Sequence, residues 1–219
     1  MKAFKFCKID LLRSRAVIAL TTLIMIVFAT YFIVDEEGLG FVAGYLAVIT
    51  VVISILPFNL EQRYESGFID MLPGTISQRV YGRYLYAFLI MVLCSLLGVA
   101  SMILFTCLGN KVEGYFGAIY LGMVSIVLFV VTIEYIIFYA VGKTKTQKVL
   151  PILQIMLPML IFLGSARLGE YLESNANIDI TWLVDNKYMV SVAAFFVSVL
   201  IFLASIKIST QICKRRDYA

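Results

Sequence analysis

Histidine is absent from all 219 residues of this chain. That absence removes serine–histidine and cysteine–histidine catalytic pairs, and histidine-ligated zinc with them. Cysteine is scarce too. Cys7, Cys94, Cys107 and Cys213 form no C-x-x-C pair and no disulfide framework. Charge is low at 15% of residues, against about 25% in soluble globular proteins. What fills the sequence instead is apolar: 62% of residues are hydrophobic and the mean hydropathy is +0.96. A soluble core does not absorb such an excess, so part of the surface must face lipid.

The few charges are segregated. Six stretches almost exclude them: 16–34, 41–58, 84–108, 116–141, 149–166 and 189–206. Of 18 basic and 14 acidic side chains, only Glu134 lies inside a stretch. Each stretch reaches the roughly 17–25 residues that a helix needs to cross about 30 Å of hydrocarbon. A helix also pairs its own backbone polar groups, which lipid cannot do. The expectation is an all-α integral membrane protein with six transmembrane helices, forming a single transmembrane domain over 1–219. The pieces between the stretches are too short to fold as domains of their own.

Orientation follows from the basic residues. Lys2, Lys5, Lys8, Arg13, Arg15, Arg63, Arg79, Arg83, Lys143, Lys145, Lys148, Lys207, Lys214, Arg215 and Arg216 all fall on one side of a six-span topology. Only Lys111, Arg167 and Lys187 fall on the other, where Asp35, Glu36, Glu37, Glu113, Glu170, Glu173, Asp179 and Asp185 gather. The positive-inside rule then puts both termini in the cytoplasm. The +4 net charge averages two oppositely biased faces and is no nucleic-acid signature. The first stretch is longer than the roughly 7–15 apolar residues of a signal peptide and is not followed by an A-x-A site, so it reads as a retained anchor. Tyr31, Tyr81, Tyr84, Tyr115, Tyr139, Trp182 and Tyr188 near span ends suit an interfacial aromatic belt.

Between the spans, several segments carry organisation. In Lys2 to Arg15, Phe4, Cys7 and Leu11 share a helical face, which suggests a short interfacial helix under the inner leaflet. In Asn59 to Arg83, an apolar stripe of Leu60, Tyr64, Phe68, Met71 and Leu72 alternates with Glu61, Arg63, Glu65 and Asp70. Pro73-Gly74 ends that amphipathic helix, and Thr75-Ile-Ser-Gln78 has the capping-box form that opens another. A helix from there to Leu108 exceeds the bilayer, so its first turns, with Arg79 and Arg83, project into the cytoplasm. A push on the amphipathic helix would therefore move the third span. The remaining signals are smaller. Gly142-Lys143-Thr144 looks like the end of a phosphate loop, but Ile137 stands where that motif needs glycine. Pro151 and Pro158 predict an irregular fifth span, and Gly40 and Gly44 form a GxxxG pair suited to helix contact. Short helices dipping toward the membrane are expected in the outer loop, 167–187. An intramembrane carboxylate such as Glu134 is a functional-site hypothesis by default; Gln154, at similar depth, is its packing partner in the alternative reading.

The run Leu72-Pro73-Gly-Thr75-Ile-Ser-Gln-Arg-Val-Tyr-Gly82-Arg83-Tyr84 resembles the second-to-third-span loop of small six-span permeases of the ABC type-2 exporter family. Leu72, Pro73, Thr75, Gly82 and Tyr84 fall at the family spacing, and Arg83 replaces a lysine. The family's arginine directly after the Ser/Thr position is Ile76 here, and the nearest arginine is Arg79. Lys8-Ile-Asp10-Leu similarly resembles the family's interface helix. The resemblance implies a permease domain over the whole chain, with Leu60, Glu61, Arg63, Tyr64, Glu65, Phe68, Asp70, Leu72, Pro73, Arg79 and Arg83 coupling it to a separate ABC ATPase subunit. ATP and Mg would reside on that partner, leaving no cofactor, metal or catalytic residue in this chain. It further implies a second permease chain (a homodimer or a sister permease), a bacterial plasma membrane, and export of hydrophobic or amphipathic peptides such as toxins or antimicrobials. Two other readings stay open at this point: an ion-coupled carrier, and a non-transporting immunity or sensor scaffold.

Overall fold

The computed structural model describes residues 2–32, 38–63, 74–108, 116–141 and 185–217. Five helices account for nearly all of them: α1 Lys2–Phe32, α2 Gly38–Arg63, α3 Ile76–Cys107, α4 Phe116–Val141 and α5 Lys187–Asp217. Four are long and apolar enough to cross a membrane, over Val42–Leu60, Ile76–Cys107, Phe116–Val141 and Lys187–Arg215. The first expected span falls on α1, which is helical as far as Phe32. The fifth, 149–166, lies outside the described residues, as do the 142–148 and 167–184 segments.

The helices differ from the charge-free stretches mostly at one end of the bundle. There α1 and α3 begin, and α2, α4 and α5 finish. Four of them overrun the expected spans: α1 by the residues before Ala16, α2 by Asn59 to Arg63, α3 by Ile76 to Arg83, and α5 by Lys207 to Asp217. These turns carry most of the described basic residues, so this is the basic end. Hydropathy marks where lipid stops, whereas helix continues wherever neighbouring helices still supply packing.

α1 corrects one expectation. It runs unbroken from Lys2 to Phe32, with no separate interfacial helix. Its buried face is Phe6, Cys7, Asp10 and Ser14, while Phe4 is 61% exposed. Cys7, Asp10 and Ser14 recur at three and four residues, a stripe that α1 lays on its neighbours rather than on lipid. Burial, with Asp10 adding a smaller contribution, pushes the Cys7 thiol up to about 11.

The core has two parts on opposite flanks of α3. One joins Cys7 of α1 to Val42, Leu46, Ile49 and Ile53 of α2 and to Tyr86, Ile90 and Cys94 of α3. The other joins Val51, Ile55 and Phe58 of α2, Val80, Tyr84, Ala87 and Met91 of α3, the lower half of α4, and Phe202 and Ile206 of α5. α4 and α5 form the most extensive helix pair, whereas α3 and α4 touch little. Where those two approach, Tyr120 reaches across into the space left by Gly98 and donates a hydrogen bond to the Ser95 carbonyl at 3.0 Å. α4 and α5 run parallel: Gly117 lies beside Tyr188 at one end, and Tyr135 and Phe202 both meet Tyr84 at the other. At Gly44 an added Cβ would meet nothing within 4 Å, so that end of the GxxxG pair makes no close helix approach among the described residues.

Candidate functional site

The third helix starts where its cap predicts. Thr75 is extended, its hydroxyl accepts from the Gln78 backbone N–H at 3.4 Å, and the Gln78 side chain accepts from the Thr75 N–H at 3.2 Å. Both halves of the capping box are present, pairing two of the donors that a helix start leaves open. The helix then carries Gly82-Arg83-Tyr84 into the basic end of the bundle, and each of those three residues meets something specific.

Gly82 makes room for α1. A Cβ there would lie 2.6 Å from the Phe6 Cβ and 2.9 Å from the Ala3 carbonyl oxygen. The two helices therefore cross with their backbones nearly in contact, which no larger residue allows. The Phe6 ring continues forward to cover Gly74.

Arg83 is buried, and its guanidinium carbon lies 4.5 Å from the centre of the Phe58 ring. Phe58 sits one turn before the end of α2, so this cation–π contact joins the two exits of the 59–83 loop. Phe58 in turn packs edge-on to Tyr135 at 5.0 Å and Tyr139 at 5.4 Å, and stacks on Phe138 at 5.0 Å, all from α4.

Tyr84 ties in α5. Its ring meets Tyr135 at 4.9 Å and Phe202 at 5.2 Å, and its hydroxyl shares a hydrogen bond with the Ser209 hydroxyl at 2.8 Å. Aromatic pairs at these separations contribute about 0.5–1.5 kcal/mol each beyond the area they bury. The Tyr135 hydroxyl donates to the Ser54 carbonyl at 2.7 Å, with the Arg83 carbonyl a second acceptor at 3.3 Å. One aromatic cluster thus joins α2, α3, α4 and α5 directly beneath the loop.

Glu134 is fully buried, next to Tyr135 in sequence, and among the described residues neither carboxylate oxygen has a hydrogen-bond partner. Gln154, its expected partner, lies outside the described residues.

Of the expected coupling residues, Arg83 is in the cluster and Arg79 is half-buried on the first turn of α3. Leu60, Glu61 and Arg63 belong to the final turn of α2, which continues past the span instead of giving way to a new helix at Asn59. Tyr64, Glu65, Phe68, Asp70, Leu72 and Pro73 lie outside the described residues. Tyr84 and Tyr139, expected in an interfacial belt, are buried at 1% and 9% exposure, whereas Tyr31, Tyr81 and Tyr188 remain exposed. Composition hides this difference, since a tyrosine near a span end reads alike whether it faces headgroups or a neighbouring helix. The signal for Tyr135 and Tyr139 was their one-turn spacing, which stacks both on one face with Phe138 between them.

Among comparisons with known proteins, the family model described as ABC-2 family transporter protein matches residues 9–214. No curated protein matches the chain.

Proposed function

The chain belongs to the ABC-2 transporter family, and on that premise we propose that it is the membrane-spanning permease subunit of an ATP-driven exporter. A separate ABC ATPase, holding ATP and Mg, docks on residues 59–83 and supplies the work. Two permease chains, identical or sister, enclose the path, and the cargo is a hydrophobic or amphipathic peptide leaving across a bacterial plasma membrane. The peptide assignment rests on the short segments between the apolar stretches, which resemble those of peptide exporters.

The observation that carries this reading is the junction beneath the loop. Phe58 and Arg83 meet at 4.5 Å, so both ends of residues 59–83 are held together. Phe58 and Tyr84 then lead into one buried cluster shared with α4 and α5. A force delivered to Phe58 or Arg83 would reach four helices through buried contacts. The parallel course of α4 and α5 supports the six-span topology as well. α4 finishes at the basic end and α5 starts at the other.

Affinity isolation in mild detergent tests the reading. The chain should bring down an ABC ATPase, and charge reversal at Glu61, Arg63 and Asp70 should release it and stop export. No bound ATPase, together with export intact in those variants, refutes the proposal. The buried carboxylate of Glu134 favours an ion-coupled carrier as the rival, and proton-driven uptake into liposomes without any ATPase would establish it.

A further inference from the structure

Pro57 stands inside α2 and is fully buried. Proline has no backbone N–H, so the Ile53 carbonyl one turn earlier loses its intrahelical donor, and the ring presses on that same carbonyl. Water cannot take the vacant place inside hydrocarbon, where an orphaned carbonyl is strongly unfavourable. A neighbouring helix supplies the substitute, and a second adds a bond one residue on. The Tyr86 hydroxyl of α3 donates to the Ile53 carbonyl at 3.1 Å. The Tyr135 hydroxyl of α4 donates to the next carbonyl, Ser54, at 2.7 Å. Both tyrosines are completely buried, so no solvent competes for either proton.

We propose that Tyr86 and Tyr135 are positioning residues that lock the break Pro57 makes in α2 to α3 and α4, the Tyr86 hydroxyl by replacing the missing donor at Ile53 and the Tyr135 hydroxyl by an added bond to the adjoining Ser54 carbonyl. A proline in a helix is ordinarily a point of bending. Here it lies one turn from the loop that receives the ATPase, where bending would dissipate displacement before it reached the bundle. With the two hydroxyls in place, the ends of α2, α3 and α4 move as one body. The transmission role rests on the permease reading above; the hydrogen-bond replacement does not.

A cycle of variants separates the two. Tyr86→Phe removes one oxygen and keeps the ring, and Pro57→Ala returns an intrahelical donor to the Ile53 carbonyl. In thermal unfolding of the purified full chain in detergent, Tyr86→Phe should lower the midpoint when Pro57 is present and do little in the Pro57→Ala background. An equal loss in both backgrounds overturns the replacement. In proteoliposomes with the ATPase and a fluorescent amphipathic helical peptide, peptide exported per ATP hydrolysed should fall about five- to thirtyfold in Tyr86→Phe and Tyr135→Phe while ATP turnover persists. A wild-type ratio in both variants overturns the transmission role, even where the stability cycle holds. If the unaltered chain binds no ATPase and moves no peptide, the permease reading falls and the transmission role with it. The unfolding cycle then still decides the hydrogen-bond replacement.

Discussion

Replacing Gly82 with alanine probes the contact that holds α1 against the start of α3. The new methyl carbon would sit 2.6 Å from the Phe6 Cβ and 2.9 Å from the Ala3 carbonyl oxygen. Unstrained carbon–carbon contacts lie at about 3.5–4.0 Å, so α1 has to lift by about 1 Å. Neither obstacle is the tip of a flexible side chain, and rotamer changes cannot absorb the clash. Lifting α1 loosens the packing of Phe6, Cys7, Asp10 and Ser14, all buried in that face. Overpacking of this kind destabilises by about 1–3 kcal/mol. For a chain of this size each kcal/mol lowers the unfolding midpoint by about 2–4 °C.

Gly74 provides an internal control. A methyl group there would also clash at 2.7 Å, but with Cε2 and Cζ at the far end of the Phe6 ring. Truncation by Phe6→Ala removes those atoms and leaves the Cβ that obstructs position 82. Thermal unfolding in detergent should therefore find Gly74→Ala nearly neutral in the Phe6→Ala background, and Gly82→Ala still destabilising there. The reasoning fails if Gly82→Ala matches wild type, or if Phe6→Ala relieves both substitutions equally.

Three further outcomes are expected. Thr75→Ala deletes the capping box and should destabilise by about 1 kcal/mol in the same assay, with Thr75→Ser restoring most of the loss. Glu134→Gln should hold or raise the unfolding midpoint, because a buried carboxylate with no hydrogen-bond partner among the described residues is unfavourable, while the proposed export falls; export at the wild-type level would remove Glu134 from the transport path. In single-cysteine variants of intact cells, an impermeant maleimide should label exposed Cys107 at the end of α3 and reach Cys213 only after permeabilisation, whereas Cys7, buried with its thiol pushed up to about 11, should resist labelling throughout. Labelling of Cys213 from outside would invert the topology.

The legible parts of this molecule are those governed by local or one-dimensional rules. The α4 boundaries follow directly from hydropathy, and the start of α3 follows from Thr75 and Gln78 because a capping box is closed within four residues. The 82–84 motif was visible as a resemblance, but its physics was not, since each partner comes from another helix: Phe6 from α1, Phe58 from α2 and Ser209 from α5. The N-terminal helix departs from its expectation for a similar reason. Phe4, Cys7 and Leu11 share a face in sequence, but the neighbouring helices bury Cys7 with Asp10 and Ser14 and leave Phe4 exposed. Pro57 carries no local signal of its role because its consequence, a freed carbonyl at Ile53, is answered 33 residues away by Tyr86.

The distribution of burial bears on how such a chain could move. In α4, nine of the eleven buried residues lie between Val127 and Tyr139, in the half nearer the basic end. In α5, the buried Phe202, Ser205, Ile206 and Ser209 lie in the corresponding half with Ser198 one turn before it, while Tyr188, Met189, Val192, Phe196 and Val197 are exposed. α4 and α5 are thus firmly joined beneath the loop and far less buried among the described residues at the opposite end. Interiors packed to high density shift as units, whereas thinly packed segments rearrange at little cost. A displacement delivered at residues 59–83 would therefore rotate the joined ends together and be expressed as separation at the far ends. On the proposed permease reading, the aromatic cluster would serve as the fulcrum, and the exposed apolar faces of α3 and α5 would be the surfaces free to slide without breaking buried polar contacts.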